Sequence, residues 1–180
     1  PKVVSIGEIG LDFYRDHSPE DIQISTFEKQ IRLAKELSLP MIIHIRQAHD
    51  AAKEILENIG YFCGVFHAFS GDEAFLKWAL DKGFYIGFGG TITFKNFKKP
   101  EIVRAVPLKR IFSETDSPFL SPHPKRGKRN EPCNIPIIVD KIAELHSVDS
   151  TEVVWQIVKN AEKLFKIPAY SDRYNSKTMG

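Results

Sequence analysis

No apolar stretch in the 180 residues approaches the roughly 20 needed to span a bilayer. The opening PKVVSIGEIG has neither the basic start nor the apolar core of a secretory signal. A cytoplasmic protein with no membrane partner is expected. Cysteine is scarce: Cys63 and Cys133 form no CxxC and no disulfide framework, which suits a reducing compartment. An excess of one charge is also lacking, since 25 Lys and Arg face 23 Asp and Glu. Any contact with nucleic acid must therefore come from a local cluster rather than from the whole-chain field. There is no low-complexity tract, no interdomain linker rich in Pro, Gly and Ser, and no initiator Met. The chain starts at Pro1, inside the lead-in to a strand, and reads as a cut chain. Residues 1–168 are expected to form one domain, incomplete at its N-terminal side, and residues 169–180 a polar tail.

What is present is alternation. Apolar, β-branched or aromatic runs recur at 3–8, 41–45, 63–69, 84–89 and 110–115, as strands buried on both faces of a parallel sheet should be. Helical patterns separate them. Ile24, Phe27, Ile31 and Ala34 share one face of a helix predicted over 19–38, opened by Ser18 as N-cap, Pro19 at the first helical position and Glu20 as an early acid. A second helix is predicted over 47–59, ending at Gly60, and a third over 72–82, ending at Gly83. Further helices are expected near 100–106, 135–147 and 150–165, the last led by Asp149 with Glu152 at capping-box spacing. Five βα units imply an α/β fold, either doubly wound or part of a (β/α)8 barrel. A whole barrel takes about 250 residues, so this chain would hold about five of the eight units.

The chemistry collects at the strand ends. Glu8, His44, His67 and Asp116 each stand at or just past the end of a predicted strand, where α/β active sites form. A lone His there is more often a hydrogen-bonded structural residue, but four such groups in register converge on one rim. Two imidazoles and two carboxylates suit Zn²⁺, Mn²⁺ or Mg²⁺ without selecting among them. Asp12 can support a metal-bound His or water, or simply cap its loop. Arg46 shares the strand face of His44 and can meet an anion such as phosphate, or pair with a neighbouring acid. His49 is expected on the surface at the start of a helix. Asp116 can bind metal or take a proton from an attacking water. Glu114, on the same side, can be structural. HPKRGKRNEP gathers Lys125, Arg126, Lys128 and Arg129 into a basic loop able to hold phosphates, with Asn130 beside it for substrate positioning or loop anchoring. GFGGTITFKN matches neither the P-loop nor the dinucleotide pattern.

In this order, GEIGLDFYRD, PMIIHIRQAHD, GVFHAFSG, GFGGTITFKN, ETDSPFLSP and RGKRNEP make the chain resemble the TatD family of metal-dependent deoxyribonucleases, amidohydrolase-like TIM barrels. The resemblance implies a (β/α)8 barrel of the metal-dependent hydrolase type with two divalent metal ions per intact site. It further implies that Glu8 bridges both metals, that His44 and His67 complete one site, and that Asp116 serves the other while activating water. Arg46, Arg126, Arg129 and Asn130 would bind substrate, and Asp12 would support the ligands. The family's opening HxH is absent: no His here has another His two residues away.

The leading expectation is an exonuclease-type enzyme cleaving DNA phosphodiesters. The alternatives are a hydrolase of a small ester or amide on the same barrel, and an inactive truncated scaffold. An open barrel edge would also favour self-association.

Overall fold

Each predicted apolar run becomes a strand, and each amphipathic stretch a helix packed beside it. In the computed structural model, which describes residues 2–15 and 17–169, the strands are β1 (Ile6–Asp12), β2 (Met41–Arg46), β3 (Gly64–Phe66), β4 (Tyr85–Phe88) and β5 (Ile111–Ser113). They form one sheet in sequence order, with every neighbouring pair parallel. The helices are α1 (Glu20–Leu37), α2 (His49–Ile59), α3 (Glu73–Asp81), α4 (Pro100–Ala105), α5 (Ile135–His146) and α6 (Ser150–Phe165). Among the described residues the sheet is not closed: β1 pairs with β2 alone and β5 with β4 alone, as five-eighths of a barrel would leave it. Of the polar tail, residues 170–180 lie outside the described residues.

Alternation along β2 shows how the site is aimed. Met41, Ile43 and Ile45 are buried in the main core with Phe27, Ile31 and Ala34 of α1 and Ala52 and Leu56 of α2. Their alternates Ile42, His44 and Arg46 point to the other face of the sheet. A second small cluster of Val65, Tyr85 and Leu164 lies apart from that core. The expected helix ends are present: Gly60 closes α2 in the left-handed conformation, and the Asp149 carboxylate accepts from the Thr151 N–H to start α6. At α1 the cap differs from expectation. Pro19, not Ser18, occupies the N-cap, and no side chain bonds to the first turn.

The first strand departs furthest from the sequence reading. It runs to Asp12 instead of stopping at Glu8, so Glu8 lies inside it. Ile6 pairs with Met41 but Ile9 with Ile43, so three steps on β1 oppose two on β2, and Glu8 sits in that bulge. Beyond it Gly10 lies against β2: a Cβ there would be 1.8 Å from the His44 carbonyl oxygen. That glycine lets β1 continue alongside the strand carrying His44. Gln23 of α1 fastens the end of β1, accepting from the Asp12 N–H at 2.9 Å and donating to its carbonyl at 3.2 Å.

Candidate metal centre

Three of the four expected ligands meet. The bulge delivers Glu8, the exposed-face alternation of β2 delivers His44, and His67 follows β3 directly. Glu8 Oε1 lies 3.0 Å from His67 Nε2 and 3.3 Å from His44 Nδ1, and the two nitrogens are 3.0 Å apart. Two ligands on a tetrahedral ion with bonds of about 2.0 Å sit about 3.3 Å apart, and on an octahedral ion with bonds of about 2.1 Å about 3.0 Å. The three edges of this triangle therefore have the length of the edges of a coordination polyhedron.

The outward nitrogens are backed by carboxylates. Glu114 Oε1 lies 3.3 Å from His67 Nδ1, and Asp12 Oδ2 lies 3.6 Å from His44 Nε2. A ring proton placed on the nitrogen that faces Glu114 or Asp12 leaves the inward nitrogen as a lone pair, the tautomer that a metal ligand needs. Three inward atoms, two imidazole lone pairs and a carboxylate oxygen, then face one another, and such a set repels itself unless a cation lies among them. The donor set fits a divalent cation on that ground. Burial disfavours a charged His67, but hydrogen bonds to Glu114 and Glu8 and their charges outweigh it and raise the imidazole to about 10. A proton thus takes the place of the metal. The hydrogen bond from His67 is the largest influence on Glu8 and holds it below the usual carboxylate range, against burial. Burial pulls Asp12 upward, but N–H groups of Arg15 and Tyr14, with His44 and Arg46, bring it below its usual value.

Asp116 stands outside this triangle of ligand atoms. It adopts a left-handed backbone at φ 59° after β5. Burial pushes its carboxyl up, joined by Glu114 and Glu8 and opposed by His67 and His44, so it shares the field of the trio. Arg46, at the end of β2, lies with its Cζ 3.9 Å over the Tyr14 ring, and Arg126 lies 4.4 Å over Phe94. Arg126 and Arg129 are exposed. Asn130 is 1% exposed, and its amide is consumed internally. It donates to the Thr115 carbonyl at 2.7 Å and accepts from Asn134 and the Glu131 N–H. Of its two readings, the geometry matches anchoring of the segment that carries Asp116.

Two residues differ from the sequence reading. Glu114 is more than scaffold: besides His67, it accepts from the Ala68 N–H at 2.6 Å. Room for it comes from Gly87, where a Cβ would sit 2.6 Å from Glu114 Oε2. The paired carboxylates of ETDSP and the glycine of GFGG were the available signals. His49 is not a surface residue. It is half-buried and edge-on to Phe75 of α3, with ring centroids 4.8 Å apart. Replacing Glu114 with Gln removes the charge behind His67 while keeping an amide of equal size. Cation affinity near pH 10, where the His67 proton no longer competes, is expected to fall 10–100-fold by calorimetric titration, and the metal-free chain is expected to melt at a lower temperature at neutral pH because the protonated ring loses that support.

Comparison with known proteins places this geometry in context. The family model described as TatD related DNase matches residues 1–166. YabD of Bacillus subtilis (strain 168), named an uncharacterized metal-dependent hydrolase, is 46% identical over 169 residues, covering 92% of this chain and 66% of that protein. The 3'-5' ssDNA/RNA exonuclease TatD of Erwinia amylovora is 39% identical over 173 residues, covering 92% of this chain and 67% of that protein. The crystal structure of YjjV, a TatD homologue from Escherichia coli K12, superposes with a TM-score of 0.86 at 32% identity, covering 92% of this chain and 65% of that one. The chain thus spans about two thirds of the length of these relatives.

Proposed function

Because the chain belongs to the TatD related DNase family, we propose that its Glu8, His44 and His67 form part of the metal centre of a hydrolase that cleaves DNA phosphodiester bonds. The observation that carries this reading is the triangle of two imidazole nitrogens and a carboxylate oxygen 3.0–3.3 Å from one another, backed by Asp12 and Glu114. The activity is proposed for the whole protein, of which residues 1–168 are one domain, acting in the cytoplasm with two divalent ions in the complete site. The exonuclease named in Erwinia amylovora supports DNA as the substrate class.

When bound at this trio, a divalent cation supplies Lewis acidity, polarising a phosphoryl oxygen and acidifying water. The residues of the chain do the rest. Glu8, His44 and His67 donate lone pairs, and Glu114 holds His67 in the tautomer that keeps its Nε2 free. The Asp116 carboxylate receives the proton of the attacking water, and its raised affinity for protons makes it a stronger base than a surface Asp. Arg46, flat on Tyr14, keeps its guanidinium edge for a phosphate, and Arg126 and Arg129 hold the strand further along. Asn130 positions the Asp116 segment through the Thr115 carbonyl.

A small ester or amide is the competing substrate, since fold and ligands do not fix it. The test is Mg²⁺- or Mn²⁺-dependent release of nucleotides from DNA by the purified whole protein, with the double variant Arg126→Ala, Arg129→Ala alongside. A nuclease is expected to bind DNA more weakly in the variant, with the slope of log affinity against log salt reduced by about 2. An unchanged slope together with retained hydrolysis of a small ester would transfer the reading to the competing substrate.

A further inference from the structure

A cleft of about 650 Å³ lies outside the metal centre but opens at the same end of the sheet, because its walls come from segments that follow the strands. Phe13 succeeds Asp12, whose carboxylate faces His44. His49, Asp50 and Lys53 come from the start of α2, Asp72 and Phe75 from the start of α3, and Lys99 from the approach to α4. The walls are partly aromatic. Phe75 is buried at the base with His49 edge-on to it, and Phe13 is half-buried at the end of β1. Burial holds His49 below its usual range, so it presents a neutral ring.

The charged groups of the cleft balance: the ammonium groups of Lys53 and Lys99 stand against the carboxylates of Asp50 and Asp72. Asp72 caps the Phe75 N–H and Lys99 donates to the Gly71 carbonyl, yet each retains further lone pairs or protons. Balanced charge gives a bare phosphate little advantage. A flat, uncharged group with donors and acceptors on its edge gains from both the rings and the polar rim. The volume also falls in the range of small-molecule pockets, about 300–1,000 Å³. We propose that this cleft is a nucleobase subsite, which seats a base of the DNA strand beside the phosphate engaged at the metal centre. The inference rests on the reading of the chain as a DNA hydrolase and deepens it: the substrate must present an unpaired base, since a base in a duplex stack cannot enter.

Equilibrium binding without metal tests this apart from catalysis. The probe is 2-aminopurine deoxyribonucleoside monophosphate, followed by its fluorescence, and the base-free competitor is deoxyribose 5-phosphate. Binding is expected to be competed by dAMP and not by deoxyribose 5-phosphate. Ala74→Leu, which grows from an exposed helix position into the cleft, and Phe13→Ala are each expected to weaken it at least tenfold. Failure to bind, equal competition by the base-free sugar phosphate, or unchanged affinity in both variants would overturn the subsite. Metal-dependent hydrolysis of bis(p-nitrophenyl) phosphate by the same protein separates the two readings: if it persists without base binding, the hydrolase stands and the subsite falls.

Discussion

Replacing His67 with Ala is expected to abolish divalent-cation binding at the trio, a loss of more than 100-fold by calorimetric titration with Mn²⁺ or Zn²⁺, and with it metal-dependent hydrolysis in the whole protein. The loss should exceed the 10–100-fold typical of supporting residues, because His67 is the hub of the site. Its Nε2 touches Glu8 and His44, its Nδ1 touches Glu114, and at 11% side-chain exposure it is the most enclosed of the three ligands. Without it Glu8, Glu114 and Asp116 are left as neighbouring carboxylates whose common cation is gone. Circular dichroism separates ligand loss from misfolding, and His44→Ala, in a more exposed position, is the parallel variant. Affinity within a few-fold of the native chain would remove His67 from the site.

The parallel sheet, the helix bounds and the positions of His44 and His67 at strand ends were legible because hydrophobic period and strand-end position are local signals. The run MIIHIR carries its own instruction: alternation buries Met41, Ile43 and Ile45 and must leave His44 and Arg46 on the other face. What escaped depends on neighbours distant in sequence. The bulge that aims Glu8 exists only in the pairing of β1 with β2, so GEIG reads as a strand end when it is a strand interior. Glu114 takes its role from His67 and Ala68, 47 and 46 residues earlier, and from the missing side chain of Gly87. Asn130 has the composition of a substrate contact, but Thr115 and Asn134 occupy its amide, a fact visible only once the loop is folded. Burial of His49 likewise follows from the packing of α2 against Phe75.

Cation affinity is expected to rise about tenfold per pH unit between pH 7 and 9 and to level off near pH 10. The metal needs the His67 Nε2 lone pair, and in the metal-free chain that imidazole keeps its proton up to about 10. Binding below that pH must expel the proton, so each unit of pH lowers the cost of expulsion by one factor of ten. Glu8 is held below the usual carboxylate range, is already ionised, and adds nothing to the slope. Calorimetry at one pH in buffers of different ionisation enthalpy should therefore report about one proton released per cation. The same proton acts on folding with the opposite sign. Because the folded value lies above the unfolded 6.5, its stabilisation of the metal-free chain is complete below pH 6.5 and disappears as pH rises through about 10. Raising pH should thus weaken the metal-free fold while strengthening its hold on the cation, and added metal should restore the melting temperature most at alkaline pH. Glu114→Gln removes a principal support of the protonated ring, so the plateau should then begin at lower pH. An affinity independent of pH, with no proton released, would show that His67 Nε2 is not the atom the cation takes.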